Sequence, residues 1–404
     1  MKLPNRSSAW KAPLTGQCCL RWWADLACWA SALAPNGGVE QHQDGEKLQA
    51  AAEHQHAEHH LGEGAVAREI LHGAHAAKAC GALDDALSAL EEAGVAATVF
   101  PGIGENPLLS QCQAAAFAAE ACRAEFLLGV GGGSVMDATK AAAWLAANNI
   151  TDGYKLFTGL RHRALPFALA GTTAGTGSEV SATAVITLDR EKRKKSVNDP
   201  QCYARVAFCD PRYTHTMSRE TTISTALDAL SHAVEGWFAP ACGDVVTACG
   251  EKALPLITEG LRWLAGETGL PDGGLREKLY YGSLWAGLVL NACGTAFPHP
   301  LGYVLTEDFQ LPHGMACAVF LPAFTRRAEQ YAPERAAALF ALCGGRESYY
   351  GLLDALARTR EIRMTSEQVA SYAGRWAGLK NFSRTPGGFT PEEAAALYRE
   401  LFVK

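Results

Sequence analysis

The sequence predicts an α/β domain followed by an all-helical domain. Three observations carry this. Helical and strand-like segments alternate between residues 82 and 188, strand alternation gives way to helical periodicity beyond about residue 211, and two loops of glycine and small hydroxyl residues follow consecutive strand patterns. ALDDALSALEEAGV (82–95) has apolar residues at helical spacing, acidic residues on the other face and a stop at Gly94. VAATVF (95–100) reads as a short buried strand, and the turn-rich PGIGENP follows. A second helix over 108–124 leads to the strand EFLLGVGG, which opens the helix SVMDATKAAAWLAANN. PFALAGTTAGTGSE and SATAVITLD add two strand-and-turn units, completing the rhythm of a parallel sheet.

After DPRYTHTMS the helical patterns are TTISTALDALSHAVEGWF, a run over 245–264, LREKLYYGSLWAGLVLNACG, PERAAALFALC and PEEAAALYRELF. The expected division is an α/β domain over 62–212 and a helical domain over 213–404. Residues 1–61 form an atypical extension with Trp22, Trp23, Trp29, the pair Cys18 and Cys19, and the His-rich EHQHAEHH. Such a tract is either a solvated tail or an adventitious metal binder.

The 404 residues suffice for two domains of ordinary size, and 48% hydrophobic with 19% charged residues describes a globular chain. A net charge of −6 argues against nucleic acid or an anionic membrane surface as partner. Thirteen cysteines without CxxC spacing favour free thiols in a reducing compartment. Lys2, Arg6, Lys11 and Arg21 precede WWADLACWASALA in the manner of a secretory signal, but Asp25 interrupts a run too short to span a bilayer. The expected compartment is the cytoplasm.

Gly131, Gly132, Gly133 and Ser134 stand where a strand ends and a helix begins. Glycines there let the backbone approach an anion beside a helix N-terminus, so the motif is either a pyrophosphate cradle or a tight β–α turn. Asp137 and Lys140 follow on the same helix. Thr172, Thr173, Ala174, Gly175, Thr176, Gly177, Ser178 and Glu179 form a second small-residue loop, either a polar ligand edge or a plain turn. Two such loops at consecutive strand ends suit a crevice at the carboxyl edge of a parallel sheet.

Asp228 and His232 are four apart on a periodic helix and share one face. As a lone pair they would read as a surface hydrogen bond. His299, between Pro298 and Pro300, and His313, after Pro312, add two imidazoles at rigid positions. One carboxylate and three imidazoles suit Fe(II), Zn(II), Mn(II) or Co(II), and a catalytic site keeps one position open.

The pieces VGGGSVMDATKAAA, GTTAGTGSEVSATAV, DPRYTHTMS, TALDALSHAVEGW and FPHPLGYVLTEDFQLPHG, in this order, make the chain resemble the iron-containing (group III) alcohol dehydrogenase family from about residue 62 onward. The resemblance implies a dehydroquinate-synthase-like fold with the active site in the cleft between the two domains. It implies Asp228, His232, His299 and His313 as metal ligands, with Fe(II), Zn(II) or another divalent ion. Gly131, Gly132, Gly133 and Ser134 become the pyrophosphate loop. Thr172, Thr173 and Thr176 lie beside the phosphates and nicotinamide, and Asp137 and Lys140 accompany the cofactor site. The implied reaction is reversible hydride transfer between NAD(P)(H) and a small alcohol, diol or aldehyde. A homodimer is also expected.

Three departures stand out. Tyr303 occupies a position where many members carry a histidine, which makes it the candidate substitute catalytic residue. No usual apolar strand is evident between Arg68 and Gly73 in LGEGAVAREILHGAHAAKACGALDD, and a frameshift, deletion or mis-assigned start would account for this and for the extension. Gly73 stands where NAD-preferring members often place an aspartate, which leans the cofactor toward NADP(H). Two alternatives follow: an impaired metal-binding remnant whose sheet lost a strand, or a dehydroquinate-synthase-type lyase, which would require a Lys/Arg cluster near the ligands.

Overall fold

The computed structural model describes residues 67–73, 75–158, 163–357 and 362–403. The extension over 1–61, with its tryptophans and His-rich run, lies outside them. Seven strands are described: β1 (Ala67–Gly73), β2 (Ala96–Ile103), β3 (Phe126–Gly131), β4 (Phe167–Gly171), β5 (Thr183–Leu188), β6 (Arg193–Asn198) and β7 (Val206–Phe208). Five of them pair in parallel in the order β2-β1-β3-β4-β7. The strands β3 (FLLGVG) and β4 (FALAG) are buried along their whole length, as expected for a parallel sheet covered on both faces.

The expectation of a missing strand is overturned. AREILHG forms β1, paired with β2 on one side from Ala67↔Ala96 and with β3 on the other from Arg68↔Phe126. Its apolar signal is weak because only Ile70 and Leu71 are large apolar residues, while Arg68, Glu69 and His72 are buried beside them. Hydrogen-bond ladders on both sides hold the strand despite that composition. A second difference concerns SATAVITLD, which leaves the parallel sheet. As β5 it forms an antiparallel hairpin with the polar β6, from Thr183↔Asn198 to Leu188↔Arg193.

Helices α1 (Ala82–Glu92), α2 (Leu109–Ala121) and α3 (Gly133–Ala147) cover the sheet. The chain runs from β1 outward to β2, then crosses back over β1 to β3. The carboxyl ends of β1 and β3 therefore flank a topological switch point, where ligands bind in open α/β sheets.

Beyond β7 the described elements are helical. The helices α4 (Arg219–Trp237), α7 (Pro298–Phe309) and α8 (His313–Ala318) carry the site residues, and α5 (Asp244–Gly266) and α6 (Gly273–Cys293) pack against α4. Ser218 caps α4 by accepting from Thr221 N, and the helix is buried almost throughout as the spine of a large apolar core with Leu254, Ile257, Leu301 and Phe324. A helix buried on all sides holds its polar residues where solvent does not compete for them. Among the described residues no helix is long and apolar enough to cross a membrane.

Candidate functional site

Asp228 and His232 lie one turn apart on α4, buried rather than surface-paired. Pro298 starts α7 and puts His299 in its first turn, while His313 is the first residue of α8. Gly314 allows that placement: a Cβ there would collide with Ser224 O and come within 2.7 Å of Asp228 N. The start of α8 thus rests directly on the α4 backbone. The four predicted ligand residues converge. Asp228 Oδ1 lies 3.8 Å from His232 Nε2, 3.6 Å from His299 Nε2 and 3.8 Å from His313 Nε2. The His232 and His299 rings stack with centroids 4.7 Å apart.

These separations are slightly longer than hydrogen bonds, and Asp228 Oδ1 and His299 Nε2 are buried without hydrogen-bond partners. Buried orphaned donors and acceptors normally cost free energy, so a common point that leaves several unsatisfied calls for a further group. Donor atoms around a tetrahedral divalent ion sit roughly 3.3–3.6 Å apart, close to what is seen. The residues present therefore fit a metal ion.

The electrostatics agree. Burial opposes ionisation of Asp228, but His232, His299 and His313 more than offset it and hold the carboxyl well below its ordinary range. Burial lowers His232 to about 4, keeping its imidazole neutral and available as a donor. Burial and nearby Lys194 hold His313 well below its usual value. Burial also opposes protonation of His299, but Cys317 and Glu235 outweigh it and raise that ring.

Three contributors escaped the sequence reading. Glu235 is fully buried, its Oε1 lies 2.6 Å from His299 Nδ1, and its Oε2 accepts from Ala296 N at 2.7 Å. It fixes the ring so that Nε2 faces the centre. Its signal was available, because Asp228, His232 and Glu235 follow the i, i+4, i+7 spacing of one helix face. Cys317, one turn after His313, brings its thiol to 3.8 Å from both His313 ring nitrogens. Lys194 arrives from β6, with Nζ 5.3 Å above the Tyr303 ring, and no local pattern announces it. Tyr303 itself stacks on His313 with centroids 5.5 Å apart, and burial pushes its hydroxyl up to about 12.

The predicted dinucleotide loops also meet. Thr172 N donates to Gly131 O at 3.0 Å, a Cβ on Gly132 would touch Thr173 Cγ2 at 3.0 Å, and one on Gly133 would strike Thr176. Gly132 caps α3, whose first amides lack intrahelical acceptors. Ser134 Oγ accepts from Asn106 N at 3.2 Å. Thr172 Oγ1 is likewise buried without a hydrogen-bond partner. On its other side the threonine loop reaches α4, where a Cβ on Gly175 would meet Thr225 Cβ at 2.7 Å. One loop thus joins the glycine turn to the helix of Asp228.

Asp137 and Lys140 serve this loop from beneath. They were expected to accompany the cofactor site, and their polar atoms bond to the threonine loop and the strand that follows it. Asp137 accepts from Ser178 Oγ at 2.6 Å and from Val185 N at 2.8 Å. Buried Lys140 donates to Ser178 O and Thr183 O at 2.7 Å each and to Ser181 O at 3.1 Å. They brace the loop.

A parallel sheet with a topological switch point, followed by a helical region that carries a buried Asp/His cluster, is the architecture of the dehydroquinate-synthase-like fold. The family model "Iron-containing alcohol dehydrogenase" matches residues 48–211, and "Fe-containing alcohol dehydrogenase family, C-terminal" matches 222–370. Long-chain-alcohol dehydrogenase 1 of Geobacillus thermodenitrificans is 33% identical over 321 residues, covering 78% of this chain and 77% of its own. An iron-containing alcohol dehydrogenase from Thermotoga maritima superposes with a TM-score of 0.77 at 31% identity, covering 83% of this chain and 92% of that one. A sulfoacetaldehyde reductase from Bifidobacterium kashiwanohense in complex with NAD+ gives 0.74 at 25% identity, covering 83% and 91%. The chain belongs to the iron-containing alcohol dehydrogenase family and is an oxidoreductase of the alcohol dehydrogenase type.

Proposed function

We propose that this protein is a metal-dependent NAD(P)(H) alcohol dehydrogenase or aldehyde reductase acting on a small primary alcohol, diol or aldehyde. The observation that carries the reading is the buried Asp228 carboxylate, with three imidazole nitrogens at 3.6–3.8 Å and no hydrogen bond to its Oδ1. In this reading Asp228, His232, His299 and His313 hold Fe(II), Zn(II) or another divalent ion, and Glu235 orients His299. When bound, the ion supplies Lewis acidity at the alcohol or carbonyl oxygen.

The chain's own residues do the rest. The amides of Gly133 and Ser134 at the start of α3 receive the pyrophosphate, with Gly131 and Gly132 keeping the approach free of side chains. Thr172, Thr173 and Thr176 line the path from the phosphates toward α4, so the nicotinamide end meets the Asp/His cluster. Asp137 and Lys140 hold that loop at its working height. Tyr303, beside His313, closes the substrate side and donates its hydroxyl proton as a hydrogen bond to the reacting oxygen. With glycine rather than a carboxylate at position 73, the reading includes NADP(H) as well as NAD(H). β1 is formed, which removes the premise of an impaired remnant, so we favour the active enzyme.

Metal analysis of the purified protein, followed by an aldehyde panel with NADH and NADPH in parallel, tests the proposal. A divalent metal at one per chain and nicotinamide oxidation with small aldehydes are expected. A protein that binds neither a divalent metal nor a nicotinamide cofactor defeats it.

A further inference from the structure

Cys317 is placed unlike a core cysteine. It sits on α8 one turn beyond His313, fully buried, and its Sγ is 3.8 Å from both His313 ring nitrogens. Its position depends on a glycine across the helix pair, because a Cβ on Gly302 of α7 would come within 3.0 Å of Sγ and 2.9 Å of Cys317 N. One donor atom each from Asp228, His299, His313 and Cys317 lie within 4.8 Å of one another. Two atoms in that group, Asp228 Oδ1 and His299 Nε2, are the buried orphans described above. A sulfur that merely filled space would be ringed by apolar neighbours, whereas this one completes a set of unsatisfied metal donors.

The geometry points to Cys317 as a direct ligand of the metal, joining Asp228, His299 and His313 beside His232. The inference rests on the metal site proposed above. Sulfur and nitrogen ligands of a tetrahedral Zn(II) or Co(II) ion sit roughly 3.5 Å apart, against 3.8 Å here. Binding converts the thiol to thiolate and releases its proton to solvent, while no electron changes hands. A soft donor added to nitrogen and oxygen ligands favours thiophilic Zn(II) and Co(II) over Fe(II). The chain would then carry a family fold with a zinc-selecting ligand set.

Cobalt spectroscopy reads this without reference to activity. The full-length protein is stripped of metal under reducing conditions and refilled with Co(II) alone, beside Cys317→Ser and Cys317→Ala. We expect visible ligand-field bands together with a near-ultraviolet thiolate-to-cobalt charge-transfer band. In both variants the charge-transfer band should be lost while the visible bands persist. Competition between Zn(II) and Fe(II), read by metal content, should shift toward Fe(II) in the variants. Visible bands without the charge-transfer band in the parent protein overturn the inference and leave the Asp/His site standing. The same holds for a charge-transfer band that survives in either variant, which must come from another thiol. A parent protein that takes up no Co(II) removes the metal site itself, and this inference with it.

Discussion

Replacing Glu69 with leucine should stabilise this protein. Glu69 lies in the middle of β1, flanked by strands on both sides and completely buried, and neither carboxylate oxygen has a hydrogen-bond partner. It shares a sheet face with Leu71, whose core cluster includes Ala115, Ala116 and Ala119 of α2. Burial raises its carboxyl well above the ordinary value. An unsatisfied buried polar group costs about 1–3 kcal/mol, and a leucine of similar size gains about 1.5–3 kcal/mol by burial. A net gain of about 3 kcal/mol follows, or roughly 5–10 °C in Tm for a domain of this size.

The pH dependence has a defined sign. A carboxyl whose folded value is raised is most compatible with the native state below its unfolded value, and native stability falls as pH rises toward the folded value. The parent protein should therefore lose stability relative to Glu69→Leu between weakly acidic and neutral pH. Glu69→Gln should abolish that slope but recover less of the gain, because its amide stays unsatisfied. Urea midpoints across pH 5 to 8, each read with the m-value, provide the assay. A Glu69→Leu variant less stable than the parent, or one with the parent's pH slope, would mean that Glu69 has a compensating partner and would refute the reasoning.

Three further outcomes follow from the site. Glu235→Gln should weaken metal binding by about 10–100-fold, measured against a chelator, since Glu235 Oε1 lies 2.6 Å from the ring nitrogen of His299 that faces away from the centre. Gly314→Ala should cost about 1–3 kcal/mol and lower metal content, because α8 must retreat from Ser224 O and carry His313 with it; unchanged metal stoichiometry and melting temperature would contradict the close approach. Lys140→Met should destabilise the protein by about 3–5 kcal/mol and raise KM for the cofactor more than it changes kcat, because the Ser178 and Thr183 carbonyls and Asp137 lose a buried partner.

What the sequence made legible follows periodicity and local chemistry. The i, i+4 pair on α4 and the two Pro-flanked histidines were readable because each motif is local, and their convergence follows from Gly314 seating α8 on α4. The strands β3 and β4 were readable as continuous apolar runs. β1 was not, because the signal for a buried strand is apolar content, and this one spends three of seven positions on Arg68, Glu69 and His72. β6 and β7 escaped for related reasons, one being polar RKKSVN and the other three residues long. The parts of the site that escaped reach it through the third dimension. Lys194 comes from a hairpin on which only tertiary packing confers meaning, and the bracing of the threonine loop by Asp137 and Lys140 shows only once that loop is folded against them. Glu235 and Cys317 fall between these extremes. Each follows a recognised histidine at helical spacing, so extending the histidine-bearing face of α4 and of α8 by one turn would have found both.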